Sequence, residues 1–122
     1  MLINLSNHPF QNWDKKQTEA AQTAYGSIID LRFPQIDPEW DIEQIINIAV
    51  KYFKKIDIEL KKSTENNNAV HLMGELTFCF CLASLLQKNE ITCIASTTKR
   101  NVTENVGVKT SVFEFVKFRK YF

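Results

Sequence analysis

Apolar residues fall alternately in short runs and at helical spacing, and this alternation organises the chain. Residues 2–5, Leu-Ile-Asn-Leu, predict a short strand closed by Ser6, Asn7, His8 and Pro9. Residues 14–25 predict a helix, with Asp14 as N-cap, Gln17 at its third position and Gly26 as its stop. Its apolar positions Ala20, Ala21, Ala24 and Tyr25 are mostly small, which suits a helix lying close on a sheet. Residues 27–32 predict a second strand, closed by Phe33-Pro34 and Asp37-Pro38. From Asp41 to about Lys55, Ile42, Ile45, Ile46, Ala49, Val50 and Phe53 form one stripe, opposed by Glu43, Gln44, Asn47, Lys51 and Lys54. The pattern leaves residues 56–68 open between helix and loop, and the run from Lys61 to Asn68 predicts a polar surface loop. Residues 69–73 predict a third strand, stopped by Gly74.

Residues 75–88 alternate at first, with Phe78, Phe80 and Leu82 on one side. The segment is long for a strand, however, and Leu76, Ala83, Leu85 and Leu86 favour helix. Glu75 in the first turn and Lys88 in the last suit the helix dipole, and nothing between them is charged, so the segment predicts a buried helix. Residues 91–96 predict a fourth strand, 97–110 a polar loop and 111–118 a last strand. In that last strand Val112, Val116 and Phe118 should face one way and Phe113 and Phe115 the other, so both faces should be covered. Lys117, Arg119 and Lys120 would guard its edge.

The resulting order is β-α-β-α-β-α-β-β, which predicts a single Rossmann-like α/β domain over residues 1–122. It has five strands in the order 2-1-3-4-5, the last antiparallel, with helices on both faces. Composition adds limits. With 122 residues, one domain is accommodated. With 15 Lys+Arg against 14 Asp+Glu, the chain lacks the broad basic face of a non-specific DNA binder. Cys79 and Cys81 sit in an apolar stretch and Cys93 in a strand, as buried reduced thiols would, and the two histidines lie elsewhere, so neither a metal site nor a cofactor is expected. No apolar run reaches the length of a membrane span and the first residues lack the pattern of a signal peptide, so the expected location is the cytoplasm.

In a sheet of order 2-1-3-4-5 the carboxyl ends of strands 1 and 3 flank a crevice, the default ligand site. The loops expected there carry Asn7, His8 and Asn12 after strand 1, Gly74, Glu75 and Thr77 after strand 3, and Ser96, Thr97, Thr98, Lys99 and Arg100 after strand 4. Each group has a plainer reading as turn, cap or solvated surface. Asn7 and Pro9 can simply build a turn, Trp13 reads as a core or staple aromatic, and Gly74 permits a tight turn while freeing backbone N–H groups. Glu75 would repel a phosphate and suits a ribose hydroxyl or proton transfer. Hydroxyls followed by two cations make a phosphate clamp of the segment from Ser96 to Arg100. His71, inside a strand, reads as structural. No Walker loop, G-x-G-x-x-G or G-x-S-x-G motif occurs.

An opening strand followed by Asn7-His8-Pro9, then a helix carrying Gln17 and Ala21 and ending at Gly26, resembles the small CRISPR-associated Rossmann-like proteins. Some of these are ring nucleases that degrade cyclic oligoadenylate messengers in antiviral defence. The likeness lies in about the first quarter of the chain. After His-Pro those proteins tend to carry Leu-Thr, where this chain has Phe10-Gln11-Asn12-Trp13. The resemblance implies a protein that binds cyclic oligoadenylate and, as an enzyme, cleaves it without metal. The residues for such a step come from the crevice the fold predicts and not from the resemblance: the substrate's own 2′-hydroxyl would attack phosphorus, His8 would move a proton, Lys99 or Arg100 would stabilise charge, and Glu75 would take the complementary proton or hold a ribose. The same crevice would equally serve a non-catalytic nucleotide- or protein-binding module, or an adaptor with no ligand. A crevice this shallow suits a homodimer that encloses the ligand between two copies.

Overall fold

Alternating side chains on β1 (Leu2–Ser6) divide the molecule into two layers. Ile3 and Leu5 point to one face of the sheet and Leu2 and Asn4 to the other. The structure, a computed structural model, describes residues 1–122. Its remaining elements are α1 (Lys15–Tyr25), β2 (Ile28–Asp30), α2 (Ile42–Lys61), β3 (Ala69–Met73), α3 (Leu76–Lys88), β4 (Cys93–Asn105) and β5 (Val108–Lys120). The five strands form one sheet in the order β2-β1-β3-β4-β5, with every pairing parallel except β4 with β5.

The larger core lies under α2 and α3. Ile3, Leu5, Val70, Leu72 and Cys93 of the sheet meet Ile45, Ala49, Tyr52 and Ile56 of α2 and Phe78, Leu82 and Leu86 of α3. On the other face α1 covers a smaller cluster of Leu2, Ala69 and Ile94 through Ala21, whose small side chain lets the helix lie close. Asp14 caps α1, its carboxylate accepting from Gln17 N at 2.7 Å. Asp41 and Gln44 close a capping box at the start of α2.

The helix α2 runs one and a half turns past Lys55, to Lys61, because Ile56 continues the stripe into the core and Leu60 packs against it. The end of the sheet brings a larger correction. Residues 97–110 are not a loop: β4 continues to Asn105, turns through Val106 and Gly107, both at positive φ, and returns along β5. Beyond the parallel sheet this ribbon has no cover, and Val102, Val106, Val108, Val112, Phe113 and Val116 are exposed. The covered last strand expected from two apolar faces is therefore absent; only Phe115 is buried, with Phe118 partly so. The expected parity holds for Phe113 and Phe115 but fails beyond them. Thr97 pairs with Lys117 but Thr98 pairs with Phe115, so Val116 is the extra residue of a bulge. The bulge brings Phe115 and Phe118 to one face, their rings 4.9 Å apart.

Phe78 is the largest fully buried side chain and meets Phe33 and Tyr52 edge-on at 5.2 and 5.6 Å. Phe78→Ala should cost about 3–5 kcal/mol of stability, read as a lower urea midpoint with an unchanged m-value.

Candidate functional site at the carboxyl edge of the sheet

The register places a row of polar residues across four strands. Asp30 on β2 pairs with Asn4 on β1, and Asn4 pairs with His71 on β3, all on the face that α1 covers. Ser96 on β4 lies two residues beyond Ile94, the partner of His71, and so shares that face. Buried polar groups are costly unless bonded, and here every member is bonded. Asn4 Nδ2 donates to Asp30 Oδ1 and to the carbonyl of His8, both at 2.8 Å. Both partners accept, so this end of the amide is the NH₂ and its oxygen faces His71. Asn4 Oδ1 then accepts from His71 Nδ1 at 2.9 Å and from Ser6 Oγ at 2.8 Å. With its proton on Nδ1, His71 presents a lone pair at Nε2, which accepts from Ser96 Oγ at 2.7 Å. Ser96 Oγ in turn accepts from Gln17 Nε2 at 3.0 Å. No buried side-chain nitrogen or oxygen lacks a partner.

His71 is 2% exposed, between the edges of Trp13 and Phe118 at 5.2 and 5.7 Å. Burial, reinforced by the nearby His8, pushes its pKa down to about 4, so at neutral pH the ring is uncharged. His8 is exposed, and its carbonyl is fixed by Asn4 Nδ2 and by Trp13 Nε1 at 3.1 Å. The expectation for His71 is thus met in burial but incomplete, because the same ring is wired to the hydroxyl of Ser96, a half-buried residue that lines a cleft.

Two clefts open side by side at this edge. One, of about 700 Å³, is lined by Asn4, Ser6, Asn7, Asp30, Arg32, Phe33 and Glu75 among others. The second, of about 440 Å³, is lined by His8, Asn12, Trp13, Gln17, His71, Ser96, Thr98 and the hairpin's Phe113 and Phe115. Of the residues singled out in the sequence, His8, Asn12, Ser96 and Thr98 therefore meet in one cleft, while Asn7 and Glu75 stand in its neighbour.

The others line neither. Lys99 and Arg100 lie on the exposed hairpin, Lys99 opposite Glu114 and Arg100 donating from Nη2 to Ser111 Oγ at 3.0 Å. The extension of β4 carries them away from the crevice that a loop would have placed them in. Thr97 is occupied at the bulge, accepting from Lys117 N and donating to Lys117 O at 3.2 and 3.1 Å. Thr77 and Glu75 form the cap of α3: the carboxylate accepts from Phe78 N at 2.8 Å, Thr77 N at 3.1 Å and Thr77 Oγ1 at 2.7 Å. Burial acts to raise the pKa of Glu75, but those hydrogen bonds from Phe78 and Thr77 outweigh it and hold the carboxyl below its usual range. Glu75 is thus an ionised cap and not a proton donor. Gly74 has a steric reason: a Cβ there would fall 2.2 Å from Cζ of Phe33, whose ring packs on Phe78.

Burial pushes the Cys79 and Cys93 thiols up to about 11 and about 12, so both are inert at neutral pH. No three His, Cys, Asp or Glu side chains converge to hold a metal ion, and no helix is long and apolar enough to cross a membrane.

Fold and site together define a doubly wound α/β protein with a polar cleft at the carboxyl edge of a mostly parallel sheet. The chain belongs to the family described as the uncharacterized protein MJ1673 family, whose profile matches residues 1–119. Nothing matches among the curated proteins or the solved structures.

The linkage to pH follows from His71. Unfolded, the imidazole takes a proton near pH 6.5; folded, it refuses one until about pH 4. Stability should therefore fall as pH drops through that window, by about 3 kcal/mol from this residue. Urea unfolding at pH 7 and pH 4 should show the loss in the wild type and a smaller loss in His71→Gln.

Proposed function

We propose that the protein binds cyclic oligoadenylate at the carboxyl edge of its sheet and cleaves it without a metal ion, acting as a CRISPR-associated ring nuclease. The observation that carries this reading is the second cleft, where the His8 imidazole, amide and hydroxyl groups and the exposed Phe113 ring meet at the position that nucleotides occupy in doubly wound sheets. Trp13 and Phe115 supply apolar walls, and Asn12, Thr98 and Ser96 supply hydrogen bonds suited to base edges and ribose. The substrate's 2′-hydroxyl attacks the adjacent phosphorus, and His8 donates the proton that the departing 5′-oxygen needs. Glu75, tied into its cap, takes no part in proton transfer on this reading.

A second reading, binding without chemistry, is favoured by one observation: the cations Lys99 and Arg100 stand on the hairpin and not in the cleft. Incubating the purified protein with cyclic tetra- and hexa-adenylate separates the two. Cleavage should persist in EDTA and yield 2′,3′-cyclic phosphate ends, and His8→Ala should slow it by about 10²–10⁴-fold with binding retained. Stoichiometric binding of an intact ring would establish the second reading, and loss of cleavage on chelation would refute the metal-free mechanism.

The protein also acts, on this proposal, as a homodimer. A two-stranded ribbon alone is marginal in water, and this one exposes Val102, Val108, Val112, Phe113 and Val116. A second copy laid on it covers those side chains and brings a second Lys99 and Arg100 to the assembly. Light scattering at micromolar concentration should give the dimer mass for the wild type and the monomer mass for Val112→Glu.

A further inference from the structure

We propose that Ser96 is the hydroxyl that takes the proton from the attacking 2′-oxygen, passing its own proton to His71. This deepens the reading of the cleft given above and rests on it. That reading supplies an acid, His8, but leaves the base unassigned, because the carboxylate of Glu75 is committed to the α3 cap.

Three observations carry the inference. The first is direction. Acceptors on both sides of Asn4 Nδ2 orient that amide, which sets the proton of His71 on Nδ1 and leaves Nε2 to accept from Ser96 at 2.7 Å. Every hydrogen bond in the row from Asp30 to Gln17 is then polarised so as to draw the proton off Ser96 Oγ. The Asn4 oxygen stands ready to stabilise the imidazolium that results. The second is access: His8, Ser96 and His71 line one cleft, and the ring of His71, 2% exposed, has Nδ1 taken by Asn4 and Nε2 by the Ser96 hydroxyl. A proton entering the ring at Nε2 therefore comes through that hydroxyl. The third is contrast. Two imidazoles line the one cleft, His71 buried and His8 at the surface, so a proton can be taken through one and given by the other.

The step balances. The 2′-O–H bond breaks as Ser96 Oγ receives its proton, and the former Ser96 proton moves to His71 Nε2. The 2′-oxygen bonds to phosphorus, the bond from phosphorus to the 5′-oxygen breaks, and that oxygen takes a proton from His8. His71 then returns its proton through Ser96 to water, and His8 regains one from water. Ser96 touches substrate; His71 acts through it, held by Asn4.

Two experiments test this. In the first, Ser96→Ala and His71→Gln are assayed with cyclic oligoadenylate. The turnover number of Ser96→Ala should drop by about 10²-fold or more, and the solvent deuterium isotope effect on turnover should shrink. Cleavage by Ser96→Ala at the parent rate overturns the proposal. The second needs neither messenger nor folding of the His71 variant. Diisopropyl phosphorofluoridate should phosphorylate Ser96 in the wild type faster than any other serine of the chain. There the Oγ–P bond forms, fluoride leaves and His71 takes the proton. Mass spectrometry reads the labelled peptide. Labelling of Ser96 no faster than the other serines overturns the relay. A wild type that leaves the messenger intact yet labels at Ser96 keeps the activated hydroxyl and refutes the cleavage reading instead.

Discussion

The structure turns on the orientation of one amide. Asn4 is 1% exposed, and its side chain makes hydrogen bonds to β2, to the loop after β1 and to β3. Because its nitrogen faces two acceptors, its oxygen must face His71, and the tautomer of His71 and the direction of the Ser96 hydroxyl follow. In a sheet whose other inward positions are apolar, this polar row discriminates between registers. A slip of β3 by one residue would set Val70 or Leu72 beside Asn4 and leave a buried amide oxygen without its donor.

The two layers divide the work. Beneath α2 and α3 the interior is apolar and aromatic, and that side supplies stability. Beneath α1 the cluster is small, and the space beside it is given to Asn4, Ser6, His71 and Ser96. Trp13 joins the two roles. Its ring packs against His71 and Phe118, and its indole N–H helps fix the carbonyl of His8. A residue that reads as a staple aromatic is therefore also a wall of the cleft.

Most of the fold was legible in the sequence, because the strands and helices are bounded by strong local signals: Asp14 and Gly26 around α1, and Gly74 ahead of α3. The strand order followed from alternation and handedness alone. What escaped was non-local or low in contrast. The chain from Thr97 to Asn105 is polar, so it reads as loop, although β propensity of its threonines and Val102 suits a ribbon. A bulge has no signature in this segment, so the side on which Phe118 falls relative to Phe113 and Phe115 could not be read. Placing Lys99 and Arg100 in the crevice was a consequence of that one misread loop. Asn4 and Ser6 did carry a signal, polar residues alternating with Ile3 and Leu5 in a buried strand. That they meet His71 and Ser96 depends on pairings between distant segments.

Distance along the chain gives the hydrogen-bonded row one more property. Asn4 and His71 are separated by 67 residues, His71 and Ser96 by 25, and Gln17 and Ser96 by 79. The hairpin closes through neighbours in sequence, and α2 and α3 form from local bonds, so each can begin to form before the parallel strands are joined. The row cannot. It comes together only when β1, β3, β4 and α1 have all docked, and a chain that has opened at any one of those seams holds His71 without Asn4 or Ser96 without His71. The hydrogen-bonded row is thus a record of completed folding, broken early in any partial opening even while most of the secondary structure persists.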